Sequence, residues 1–143
     1  MVRHDKQRAL EPIEFIQMLK AVDDFYGQPF LLLDWQHEII WDVYGTVNEQ
    51  GYRQYCSAYL EVPQKHGKTS LIGGLSLYHL VCDPPGGQIY CCAADREQAT
   101  LVYRAAKGML EQDPELEKIL KVTDSQKEIK NIHTGTTLKV LSA

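Results

Sequence analysis

The chain has 143 residues and a formal net charge of -4, a length that suits one domain with a core of its own. No apolar run approaches the ~18 residues of a membrane span, and the N-terminus lacks the apolar stretch of a signal peptide, so the expected address is cytosolic. The acidic balance does not predict a free-standing nucleic-acid-binding domain, which draws much of its affinity from phosphate neutralisation; any such surface would be local.

In chain order, residues 1–12 are polar and read as an arm. Residues 13–24 place Ile13, Ile16 and Leu19 at helical spacing, with Phe15 and Val22 alongside, and Gly27 and Pro29 then break the chain. A second helix is predicted over 34–44, with Asp34 as its N-cap and Trp35, Ile39, Ile40 and Val43 on its apolar face. Residues 45–54 read as a polar loop. Tyr55 to Val62 reads as a strand rich in β-formers, and Pro63 ends it. An apolar helix opens at Gly67 and runs over 67–82. After the turn at 83–87, Gln88 to Ala93 reads as a buried strand. Asp95 and Gln98 have capping-box spacing before a helix whose stripe is Ala99, Val102, Tyr103, Ala106, Met109 and Leu110. Asp113-Pro114 starts a short helix, and 128–132 and 136–141 read as two strands. Strands alternating with helices from residue 55 onward predict an α/β fold with a mostly parallel sheet flanked by helices.

Two residue classes get bland readings. The cysteines Cys56, Cys82, Cys91 and Cys92 form no CxxC pair, so zinc spacings are missing and reduced thiols packed as small hydrophobes are expected. Tyr26, Tyr44, Tyr52, Tyr55 and Tyr59 read as packing residues.

The chemistry concentrates at Val62-Pro63-Gln64-Lys65-His66-Gly67-Lys68-Thr69, which departs from the P-loop pattern G-x-x-x-x-G-K-[ST] only at its first position. Gly67 lets backbone N–H groups close on phosphate oxygens without a Cβ in the way. The helix that follows turns its unpaired N–H groups and partial positive charge toward the anion. Lys68 is placed to reach the β- and γ-phosphates, and Thr69 offers a hydroxyl to Mg²⁺. Placement after a predicted strand and before a predicted helix is the context that this motif requires.

Three stretches in order, Leu33-Asp34-Trp35-Gln36, the segment 62–69 and Ala93-Ala94-Asp95-Arg96-Glu97-Gln98-Ala99, resemble the large terminase subunits of tailed phages and prophages, the ATPase-nucleases that package viral DNA. The resemblance runs from about residue 11 to the end of the chain. It implies a P-loop NTPase of the RecA-like (ASCE) class, with ATP and Mg²⁺ as cofactors. It divides the chain into a helical lead-in carrying an adenine-recognition element (1–54) and a partial ATPase core (55–143), truncated before the acidic Walker B strand and without the nuclease domain. Loss of the first loop glycine is common in that family. Where the family carries Arg after the loop proline, this chain has Gln64, a donor without charge, beside Lys65.

The implied nucleotide-binding residues are Gln36, Pro63, Gln64, Lys65, His66, Gly67, Lys68, Thr69 and Ser70, with Thr69 on Mg²⁺ and Lys68 catalytic. Gln36 suits adenine because a side-chain amide both donates and accepts. His66 reads as a tolerated loop residue. Arg96 is the candidate arginine finger, ahead of Arg104, with a solvated or structural arginine as the other reading. Implied partners are double-stranded DNA, a small terminase subunit, a portal or procapsid and other copies in a ring, in the host cytoplasm and away from membranes. Two readings stay open beside this one: another P-loop ATPase of helicase type, and a remnant without catalysis.

Overall fold

Asp5 starts the first helix earlier than its apolar spacing suggests. In the computed structural model, which describes residues 1–22, 25–63 and 67–141, the Asp5 side chain accepts from the backbone N–H groups of Gln7 and Arg8. Two donors that a helix start leaves unpaired are thereby satisfied. Helix α1 therefore spans Lys6–Gln17, and most of the expected arm is helical. Ala9, Pro12, Ile13 and Ile16 make its buried stripe, at the three- and four-residue steps of one face. Leu19 and Val22, expected on the same helix, follow its C-cap Met18; Asp23 and Asp24 lie outside the described residues.

Ahead of α1, strand β1 (Arg3–His4) pairs with β2 (Thr46–Val47), a short ladder that reaches into the stretch expected as loop. Helix α2 spans Asp34–Gly45 with Leu33 as N-cap, so Asp34 is the first helical residue and not the cap. Leu33 has no polar side chain to close that end. Gln36 does so instead, its Oε1 accepting from the Leu33 N–H at 2.9 Å.

Helix α3 (Lys68–Cys82) is the central element. It packs against α1 and, most extensively, against α4 (Arg96–Glu111). Gly73 permits that contact: a Cβ there would lie 3.0 Å from the Ala105 Cβ. Asp95 caps α4, accepting from the Gln98 N–H at 2.8 Å, and Asp113 caps α5 (Pro114–Ile119), as their sequences predict.

The sheet is β3 (Gln88–Cys92), β4 (Leu120–Thr123), β5 (Glu128–Asn131) and β6 (Thr137–Leu141), in the order β3-β6-β5-β4. Only β3 and β6 are parallel; β4–β5 and β5–β6 are antiparallel. The sheet is thus mixed and not mostly parallel. The reason lies in the connections: β4, β5 and β6 follow one another through short turns, which allow only antiparallel neighbours, whereas β3 and β6 are separated by the helices that a parallel crossover requires.

Two strand expectations fail. Strand β3 sits at the sheet edge and buries only Cys91 among its five residues. Residues 55–62 join no ladder among the described residues, and Tyr59 there is 89% exposed. Strand propensity measures fit to a pleated, half-buried surface, and none of the described strands lies beside this segment to take its backbone groups.

Leu120, Ile129, Leu138 and Val140 turn inward from the sheet and join Ile13, Ile16, Ile40, Leu77, Leu80, Tyr103 and Met109 in one cluster. The α/β core is therefore continuous from α1 to β6. Each fully buried Leu or Ile contributes about 1.5–3 kcal/mol by leaving water.

Candidate functional site

The site begins with the backbone of Gly67, at φ 84 and ψ 12, the left-handed N-cap of α3. Few residues other than glycine adopt that conformation without strain. A side chain is excluded on a second ground, because a Cβ would lie 2.9 Å from Gln36 Nε2. The Gly67 carbonyl accepts from the Leu71 N–H at 3.0 Å and from Gln36 Nε2 at 3.3 Å. The helix start just beyond it has N–H groups with no intrahelical acceptor.

Lys68 and Thr69 are exposed at this end and Ser70 is half-buried. Lys68 enters no ion pair among the described residues. Thr69 also differs from two other helical hydroxyls among the described residues. Ser76 and Thr100 donate back to the Ile72 and Arg96 carbonyls at 2.8 and 2.7 Å, whereas the Thr69 hydroxyl makes no hydrogen bond among the described residues. The left-handed turn, the bare helix end, an uncommitted cation and an uncommitted hydroxyl together suit a phosphate with its counter-ion.

Beside this turn lies a cleft of ≈ 490 Å³. Phe25, Pro29, Phe30, Leu31 and Leu33 give it apolar walls, and Gln36, Gly67 and Ser70 supply polar groups. A mostly apolar cleft with a few placed polar groups is the common form of a small-molecule site. Gln36 is buried at 2% exposure, not set on the helix surface. The structure thus brings Gln36, Gly67 and Ser70 together with Lys68 and Thr69 adjoining. Pro63 is described and exposed, while Gln64, Lys65 and His66 lie outside the described residues. Arg96 is exposed at the first turn of α4 and lines neither this cleft nor the one below.

A second constellation escaped the sequence reading. At the other end of α3, the Tyr44 hydroxyl lies 2.7 Å from His79 Nε2, and His79 Nδ1 lies 2.9 Å from Asp83 Oδ1. A carboxylate oxygen accepts, so Nδ1–H donates to Asp83, and in that tautomer Nε2 accepts from the Tyr44 hydroxyl. Burial pushes the Tyr44 hydroxyl up to about 12, which keeps it protonated as a donor. Tyr78 donates to Glu11 at 3.2 Å, and Arg53 stands 5.3 Å over the Tyr44 ring. These groups line a cleft of ≈ 550 Å³. The available signal was His79 and Asp83 four residues apart at a helix C-terminus, where a polar pair meets.

The bland readings fare unevenly. Tyr44 packs as expected, but Tyr26, Tyr52, Tyr55 and Tyr59 are exposed. All four cysteines are free thiols, and Cys91 alone is buried. Burial pushes the Cys91 and Cys82 thiols up, away from reactive thiolate behaviour. Among the described residues no His, Cys, Asp and Glu group is arranged to hold a metal ion, and no helix is long and apolar enough to cross a membrane.

Comparison with known proteins bears on this arrangement. The family described as "Terminase large subunit, ATPase domain" matches residues 34–143. The large terminase subunit of Enterobacteria phage HK97 is 35% identical over 135 residues, covering 92% of this chain and 26% of the relative. The crystal structure of the HK97 large terminase superposes with a TM-score of 0.82 at 35% identity, covering 95% of this chain and 27% of that one. The chain thus spans about a quarter of the relatives' length. By the extent of the family match and the agreement of the fold, this chain belongs to the ATPase-domain family of large terminase subunits.

Proposed function

We propose that the chain is the nucleotide-binding front of a terminase motor, which binds ATP with Mg²⁺ and couples its hydrolysis to the packaging of double-stranded DNA. The observation that carries this reading is the left-handed Gly67, its carbonyl fixed from two sides, at the exposed N-terminus of α3 and on the wall of the cleft. Adenine enters the apolar cleft against Gln36. The phosphates meet the N–H groups of residues 67–70 and Lys68, and Pro63, Gln64, Lys65 and His66 are the further nucleotide-binding residues of this reading. The Thr69 hydroxyl is the residue here that would hold Mg²⁺, which supplies charge neutralisation at the phosphates when bound.

In this reading residues 1–54 are the lead-in with the adenine element and residues 55–143 part of a RecA-like core. Hydrolysis also needs an Asp for the metal and a Glu for water. No apolar strand among the described residues ends in that pair, and we place both, with the nuclease centre, in the part of the relatives' length that this chain does not span. Arg96, exposed at the start of α4, would act as a finger within the subunit or on a neighbouring copy in a ring. The small terminase subunit and the portal or procapsid are the further partners, met in the bacterial host cytoplasm.

Titration of Mg²⁺-ATP into wild type and Lys68→Ala tests the reading. Wild type is expected to bind and the variant to lose most of its affinity, with its unfolding midpoint unchanged. Equal ATP affinity in the two proteins would overturn it.

A further inference from the structure

We propose that Gln36 is a positioning residue for the phosphate-binding peptide, beyond any contact with the base. The proposal rests on the nucleotide-binding reading above.

Gln36 bridges two backbone groups, one on its own helix start and one far along the chain. Its Oε1 accepts from the Leu33 N–H at 2.9 Å, and its Nε2 donates to the Gly67 carbonyl at 3.3 Å, across 31 residues of chain. The partners force this orientation of the amide, since an N–H must face oxygen and a carbonyl must face nitrogen. With the Leu71 N–H at 3.0 Å, both lone pairs of the Gly67 carbonyl are used.

That carbonyl belongs to the peptide unit whose N–H is that of Lys68. A trans peptide is planar, and its C=O and N–H point in opposite directions. The carbonyl is drawn down the helix toward Leu71. The Lys68 N–H must then point out of the helix start, where the phosphates belong. Fixing the one group aims the other.

The aim is not secured by the turn alone. Gly67 sits at φ 84, and glycine populates both signs of φ readily. Gln36 is the side chain that ties this peptide to another element among the described residues. Leu33 in turn holds Gln36 from the far side. An amide oxygen has two lone pairs and an amide nitrogen two hydrogens, so each end of Gln36 keeps one position for a base in the cleft while holding Gly67. Base reading and phosphate cradling thus run through a single side chain.

A ligand without a base separates the two roles. Inorganic tripolyphosphate and ATP, each with Mg²⁺, are titrated calorimetrically into the intact protein and Gln36→Met, which keeps the volume and drops the hydrogen bonds. The proposal expects Gln36→Met to weaken tripolyphosphate about fivefold, the worth of one ordinary hydrogen bond, and ATP by more. Unchanged tripolyphosphate affinity with weakened ATP would overturn it and leave Gln36 a reader of the base. Wild type that binds neither ligand would overturn the nucleotide reading and this proposal with it.

Leu33→Pro covers the case in which Gln36→Met does not fold. It deletes the N–H that orients Gln36, at φ -70, an angle proline adopts, and keeps the glutamine. It should weaken tripolyphosphate in the same direction by a smaller factor, and wild-type affinity there would count against the proposal.

Discussion

At its N-terminal end α3 leaves Lys68 and Thr69 exposed and, among the described residues, uncommitted, whereas at its C-terminal end His79 is held between Tyr44 and Asp83. Both ends belong to one helix with Leu71, Leu77 and Leu80 fully buried. The bare front is therefore not a sign of poor packing. A helix C-terminus offers carbonyls, and here Asn131 Nδ2 donates to that of Leu80 at 2.9 Å; the N-terminus attracts anions, and among the described residues no acidic side chain pairs with Lys68 there. What differs is whether the partner comes from inside or outside the molecule.

The comparison can be broken by substitutions at each end. Lys68→Ala should have the largest effect. A charge-assisted contact is worth about 1.5–3 kcal/mol, so ATP affinity should fall by roughly ten- to a hundredfold while the unfolding midpoint stays put. A large loss of stability would mean that the front end is structural after all.

Gly67→Ala should damage both properties. It forces an L-residue to φ 84 and brings a Cβ 2.9 Å from Gln36 Nε2; left-handed strain costs about 1–2 kcal/mol. Denaturant unfolding should show that loss together with weaker ATP binding.

At the back end, Tyr44→Phe removes the donor to His79 Nε2. Denaturant unfolding should register about 1 kcal/mol, with ATP affinity as in wild type. A change in ATP affinity would erase the distinction between the two ends.

The smallest effect concerns Asp124. The Tyr103 hydroxyl donates to it, as does Lys107, and both hold its carboxyl below the ordinary value. Because the folded value is lowered, this contribution is present above the ordinary carboxylate range and is lost as pH falls through the lowered value. Asp124→Asn should flatten the acid limb of the midpoint-against-pH curve by lowering the midpoint slightly at neutral pH and leaving it unchanged in acid, a small effect since the group is exposed.

Much of the helical frame was legible before any coordinates. Asp95 and Asp113 announce α4 and α5 through local capping chemistry, and Gly67-Lys68-Thr69 announces α3. Such signals are carried by neighbouring residues, so a sequence displays them. The failures lie where tertiary contacts decide. The start of α1 is capped locally by Asp5, but Asp5 sits among residues that look like a polar arm and is itself tied by its N–H to the Gly45 carbonyl at 2.7 Å. Strands β1 and β2 consist of two residues each and exist only through their pairing. Residues 55–62 have the composition of a strand but pair with no described strand. For the site, Gln36 was legible as a residue type, but its bond to Gly67 was not, because 31 residues separate them. The Tyr44–His79–Asp83 chain likewise joins α2 to α3 across 35 residues.

The central claim, that the N-terminal end of α3 receives phosphate, is tested most directly by following backbone amide resonances during titration with Mg²⁺-ATP. The account predicts large shifts at Gly67, Lys68, Thr69 and Ser70, with the amides of His79 to Asp83 little changed. Shifts concentrated at the Tyr44–His79–Asp83 end, or none at residues 67–70 under saturating ATP, would contradict it.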